Sequence, residues 1–424
     1  MKISFHPEIL AQQKFACNCC GQGCRTFLVS VSQREQQAIE QLQPWREKLP
    51  VTRLFVRTRQ AKPFAFGLAK HADGRCVFLD DDNLCLIHKL HGLKAKPLAC
   101  QLYPFVFTPF GSELRVGLRF DCPGICQSRG HSLSGYNNEL GQLARQLVPA
   151  GIQNVPPPPI GPSQKVSAQR FDAINESLLK IVTSDAMPLV KRLHWLLLFV
   201  EHLAKIKWRN VSDDDLPELL AMFRGGLLAE VQRSDRHTRT TTGKPRKLLG
   251  HIFFLLSHPP TIIAAQRKRL LRCLRERLKS LATIKQLGRT NGPLPKLQPN
   301  WPQCDMADME KSFGPWPADV EAMLTRYLIC RIGGMGYCGP NFYNYSMVEG
   351  IRSLLLAMVT IGWLMRIEAI GAGRDNIELS DAHNAVMTID GNLGYAPALG
   401  TGPARLRLRY LTDHLDNFID CYCT

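Results

Sequence analysis

The stretch Phe15-Ala16-Cys17-Asn18-Cys19-Cys20-Gly21-Gln22-Gly23-Cys24-Arg25 crowds cysteine and glycine into one short segment. Glycine permits tight turns and lets backbone N–H groups approach the sulfurs, the arrangement of a metal knuckle. Thiolate is the ligand form, and a bound metal draws the proton off the thiol. Arg25 is placed to offset the negative charge that gathers there.

Three more short motifs follow. The second is Cys76-Val-Phe-Leu79-Asp80-Asp81-Asp82-Asn83-Leu84-Cys85-Leu-Ile87-His88. Its acidic and amide residues predict a turn joining two apolar pieces, which brings Cys76 and Cys85 to one point. The third is Lys96-Pro97-Leu98-Ala99-Cys100-Gln101-Leu102-Tyr103-Pro104, and the fourth is Cys122-Pro123-Gly124-Ile125-Cys126. The candidate metal ligands are Cys17, Cys20, Cys24, Cys76, Cys85, Cys100, Cys122 and Cys126. Zinc and an iron–sulfur cluster both suit such a set; His88 and His91 beside Cys85 could complete a mixed site, which zinc accepts readily, whereas most iron–sulfur clusters use thiolates only. Cys273, Cys304 and Cys330 have no such context and read as small buried hydrophobes.

The 15 cysteines are not needed as staples, because 424 residues are enough to bury a full core. The N-terminus, MKISFHPEILAQQKF, lacks an apolar core of signal-peptide length. A reducing cytoplasm is therefore expected, where clustered cysteines bind metal rather than pair as disulfides.

Around the cysteines the chain is not purely helical. Thr52–Arg59 and Glu113–Phe120 alternate apolar and polar residues, as half-buried strands do. Ser32 and Glu35 form a capping box before one helix. The proline-rich run VPPPPIGPS, residues 155–163, breaks the pattern. Beyond it, Phe171–Val182, Met187–Trp208, Leu216–Val231, Thr261–Leu281 and Pro317–Cys330 carry helical spacing. Ser346 and Glu349 cap a long apolar helix reaching about Ile370, and Leu406–Phe418 closes the pattern. The expected fold is mainly α. A small irregular cysteine-rich α+β metal-binding domain (residues 1–154) leads through a proline-rich linker (155–163) to a larger helical domain (164–424).

The apolar run Ser353–Met365 is short for a membrane span, which needs about 20 residues, and it reads as a core helix. The net charge of +17 gathers partly in Arg233–Lys247, read as a polar loop, and in Gln266–Ser280. No aromatic residues interleave there to stack bases, and the cysteines do not pair as in zinc fingers, so nucleic acid is not the expected partner.

These motifs resemble the CxxCxxCC cysteine-cluster family of YkgJ type, zinc- or iron-chelating proteins that include the flagellin lysine-N-methylases. Phe15, Cys17, Cys20, Gly21, Cys24 and Arg25 match its first block. Cys76, Phe78, Leu79, Cys85, Ile87 and His88 match the second, and Pro97, Cys100, Tyr103 and Pro104 the third. Gly23 replaces a family cysteine, Cys19 is extra, and Gln101 stands where arginine is common. The resemblance implies metal chelation. Its methylase branch implies a protein substrate and S-adenosylmethionine as methyl donor. No strand followed by G-x-G-x-x-G supplies a donor site from the residues themselves, and the catalytic and cofactor-binding residues of such an activity are not legible.

Overall fold

The computed structural model describes residues 2–26, 29–42, 45, 49, 53–58, 65–148, 150–151, 154–233, 241–257, 270–298 and 301–423, with the side chains of 270–277 left aside. It is 57% helix and 10% strand, the mainly α chain with a small mixed N-terminal part that the sequence predicts.

The N-terminal part threads short elements between its cysteines. They are β1 (Lys2–Ser4), α1 (Pro7–Gln12), β2 (Lys14–Phe15), α2 (Gln22–Thr26), β3 (Ser30–Val31), α3 (Gln33–Gln41), β4 (Phe55–Arg57) and β5 (Phe66–Leu68). Then come α4 (Leu86–His91), α5 (Leu98–Leu102), β6 (Phe105–Phe110), β7 (Glu113–Leu118), α6 (Pro123–Cys126), β8 (His131–Ser132) and α7 (Asn137–Leu147). The sheets are small: β1-β7-β6, β3-β5-β4 and β2-β8. The expected Ser32–Glu35 capping box is present; Glu35 N–H donates to Ser32 Oγ at 3.2 Å and Ser32 N–H to Glu35 Oε2 at 2.8 Å.

The helical body contains α8 (Ala168–Val182), α9 (Leu189–Leu203), α10 (Leu216–Arg233), α11 (Gly243–Ser257) and α12 (Leu270–Leu287). It continues with α13 (Ala318–Gly333), α14 (Met347–Gly371), α15 (Leu379–Asn392), α16 (Gly402–Thr412) and α17 (Leu415–Tyr422). Helix α14 is the axis, packed by α9, α11, α15, α16 and α17. It is long and apolar enough to cross a membrane, yet 83% of its most apolar window is buried in the protein, so it is the core helix expected. Two readings are corrected. The segment expected as one helix over Leu406–Phe418 is two, α16 and α17, broken at Asp413–His414. Gly243–Ser257 is helix, so the basic loop extends no further than Thr242; residues 234–240 of that loop and 261–269 of the Thr261–Leu281 segment lie outside the described residues.

Two separate cores result. The smaller gathers Val29, Val31, Ile39, Trp45, Leu68, Cys76–Leu79 and Ile87, with Cys24, Cys85 and Cys100 packed at its side. The larger joins the helical body to Phe5, Phe15, β6, β7 and α6–α7. Polar contacts lock that join. Arg331 is ion-paired with Asp390, whose Oδ2 also accepts the Phe120 N–H at 2.7 Å. Asn341 Nδ2 donates to Phe107 O at 2.8 Å. The proline run is held at both ends: Val155 bridges Gly111, and Ile160 O accepts the Val348 N–H at 2.9 Å.

Candidate metal centre

Three blocks of sequence meet beside the smaller core. Cys24 lies on α2, and its carbonyl accepts the Cys76 N–H at 2.9 Å and the Lys70 ammonium at 2.6 Å. Cys76 and Cys85 flank the turn the acidic residues predict. Asp80 N–H donates to Leu84 O at 2.9 Å, Leu84 N–H returns to Asp80 Oδ1 at 2.8 Å, and Leu79 bridges Cys85 in antiparallel register. Asp80 thus caps its own turn, a favoured role for a short carboxylate. Cys85 then starts α4. Cys100 sits on α5, whose first N–H, that of Leu98, donates to Glu35 Oε1 at 2.7 Å. The capping glutamate of α3 therefore also places the third cysteine block. Gln101 donates to the Lys96 carbonyl at 2.6 Å, securing the chain that enters α5.

The thiols of Cys24, Cys76, Cys85 and Cys100 act on one another. Burial raises the Cys24 thiol, with Cys85 and Cys20 adding to the rise and Lys96 and Lys70 opposing it. Burial pushes Cys76 up to about 12, against a backbone N–H from Phe78; Cys24 and Cys85 push the same way. Burial also drives Cys100 well above the usual thiol range, with Cys76, Cys24 and Cys85 contributing. Lys70 is lowered by burial and drawn back up by Cys76, Cys24 and Cys100. Two lysines thus attend four thiols. Neither lysine carries a motif; Lys96, one residue before the Pro-x-x-Cys block, is the one its position could have flagged.

Cys17, Cys19 and Cys20 form an exposed rim beside this set. Gly21 holds the rim down. Its φ is +67°, which favours glycine, and a Cβ there would stand 3.2 Å from both Asn83 Oδ1 and a Leu79 methyl, a tight approach that these side chains would have to ease. Arg25 Nη2 donates to Asn83 Oδ1 at 2.5 Å. The first knuckle and the acidic turn are therefore fastened together.

Cys122 and Cys126 lie elsewhere, within the larger core. Burial pushes Cys122 up to about 11, against N–H donors from Ile125 and Gly124 and the Tyr103 hydroxyl. The Cys126 thiol points to His383 O at 3.8 Å, on α15. This fourth motif supports the strand that enters the first: a Cβ on Gly124 would stand 2.8 Å from the Ala16 carbonyl oxygen. His88 is exposed on α4, and the His91 ring stacks edge-on to Trp45 at 5.2 Å. Cys330 is buried as expected of a core filler, Cys304 is half-buried, and the Cys273 side chain lies outside the described residues.

Among the described residues no three Cys, His, Asp or Glu side chains stand in chelating position around one point. The four inner thiols lie beside the same small core. Their chemistry fits zinc or iron: soft sulfur donors, with two ammonium groups to offset thiolate charge. All the described cysteines are free thiols.

Comparison with known proteins agrees on this region. Residues 16–127 match the family model CxxCxxCC, described as "putative zinc- or iron-chelating domain". Over 52 residues, 12% of this chain, the sequence is 35% identical to the flagellar biosynthetic protein FliU of Salmonella muenchen, and the match spans 31% of that relative's length. No solved structure matches the chain. The likeness to the CxxCxxCC domain covers the cysteine-bearing N-terminal part, residues 16–127.

Proposed function

We propose that the N-terminal domain binds zinc or an iron–sulfur cluster through Cys24, Cys76, Cys85 and Cys100, and that the helical body is the platform to which this centre is attached. The observation that carries the reading is the meeting of these thiols, drawn from three sequence blocks, beside one small core. Cys17 and Cys20 stand at its rim, while Cys122 and Cys126 buttress the approach from the larger core. A reducing compartment, the cytoplasm, is the setting in which such thiols persist. Isolation without oxygen followed by a visible spectrum separates the two metals. Absorption near about 400 nm marks thiolate-bound iron, and a colourless protein with stoichiometric zinc marks the other. A protein with neither metal refutes the reading.

A second reading, favoured by the short FliU match, makes the chain an S-adenosylmethionine-dependent protein lysine N-methylase of the flagellin type. The reaction needs a neutral lysine amine, so a base or a desolvating pocket has to lower its pKa. Incubation with labelled donor and flagellin is the test; absence of label at every metal loading rejects it.

A further inference from the structure

We propose that the basic face built by α11, α12 and α16 docks on an anionic lipid bilayer. The chain's excess positive charge is segregated. Residues 236–304 hold 15 lysines and arginines and one acid, Glu276; residues 391–412 hold Arg405, Arg407 and Arg409 and no acid. These two stretches carry the whole net charge of +17, and the rest of the chain is balanced. The fold brings them together around the first turns of α11, which packs against both α12 and α16. Lys244 Nζ sits over the Tyr410 ring of α16 at 4.3 Å. Arg246 Nη2 donates to the Arg289 carbonyl, just beyond α12, at 3.1 Å. A Cβ on Gly288 would stand 2.9 Å from Lys247 Cα, so these two backbones nearly touch. Lys244, Lys247, Lys285, Arg289 and Arg409 are all exposed, and no carboxylate engages them among the described residues.

The same stretches expose large apolar side chains. Leu278 is 66% exposed, Leu281 62% and Leu406 67%. A single exposed leucine is ordinary. Here Leu278, Leu281 and Lys285 follow three- and four-residue spacing, so two leucines and a cation share one solvent-facing side of α12. Nucleic acid would be gripped by the cations alone, leaving those leucines in water. At a bilayer surface, lysine and arginine meet anionic headgroups while leucine enters the acyl boundary, and the two contributions add. None of these residues belongs to the thiol set, so the inference does not rest on the metal reading.

The full chain is sedimented with vesicles of phosphatidylcholine alone and of an equal mixture with phosphatidylglycerol. Binding is expected to the mixed vesicles, weakening as salt is raised, with little to the neutral ones. Lys247→Glu with Lys285→Glu should lower the partition coefficient about tenfold or more. Leu278→Ser with Leu281→Ser should lower it about tenfold. All four side chains are exposed, and unchanged thermal midpoints show that each variant is folded. Met222→Ser, at a residue 64% exposed on α10 and outside the basic stretches, should bind as the wild type does. Failure of the wild type to bind the mixed vesicles overturns the proposal, as does equal binding to neutral ones. Undiminished binding by the folded leucine variant does the same. Capture of duplex DNA without capture of vesicles assigns the face to nucleic acid and equally overturns it.

Discussion

Cys76 and Cys100 illustrate what burial does to a ligand before any metal arrives. Both hold their protons firmly, because a thiolate in an apolar setting lacks solvation. An incoming cation must therefore displace protons as well as find sulfurs. With the Cys76 thiol raised to about 12, uptake at neutral pH releases its proton, and apparent affinity rises with pH until that thiol ionises unaided. Titration of metal into protein in two buffers of different ionisation enthalpy measures the release; a heat independent of buffer denies it. Substitution follows the same logic. Cys76→Ser or Cys100→Ser should lose most of the bound metal, while Cys330→Ser, a buried residue on α13, should keep it. Equal metal in all three, by elemental analysis, contradicts the assignment. The sequence offers these residues as candidates because several short cysteine motifs crowd into its first 126 residues. Lys70 was not legible: its ammonium donates to the Cys24 carbonyl, a contact no spacing rule marks.

At the scale of elements, the acidic turn between Cys76 and Cys85 and the knuckle at Gly21 form one fastened unit. Gly21→Ala should cost about 1–2 kcal/mol from its left-handed backbone alone, with more from the crowding against Asn83 and Leu79. A shift in the unfolding midpoint checks it, and an unchanged midpoint denies the close approach. The turn, both serine capping boxes and strand β7 could all be read beforehand, since each is encoded within a few residues. Helix α11 was hidden by the lysines and arginines at its start, though Ile252, Phe253 and Leu256 on its later turns are buried. Helices α16 and α17 read as one because Leu408, Leu411, Leu415 and Phe418 keep three- and four-residue spacing across the break, while Leu406 is 67% exposed.

Over the whole molecule, the larger core crosses from the helical body into the cysteine-rich part, and buried charge pins the crossing. Asp390 is fully buried, pairs with Arg331 and accepts the Phe120 N–H. Asp390→Ala strands the Arg331 guanidinium and should destabilise the chain by about 3–5 kcal/mol, read from denaturant unfolding; a change of a few tenths would show that the pair is not the lock. No local pattern announces this, because its partners are 59 residues apart for the ion pair and 270 for the backbone bond. The same distance effect separates the cysteine motifs. Their sequence grouped Cys122 and Cys126 with the rest, whereas the fold sets them in the other core. The metal centre itself is tested most directly by X-ray absorption at the zinc and iron edges of protein isolated without oxygen. The account predicts one metal centre per chain with a sulfur-dominated shell, lost in Cys100→Ser. A shell of nitrogen and oxygen, or a protein that carries neither metal, would contradict it.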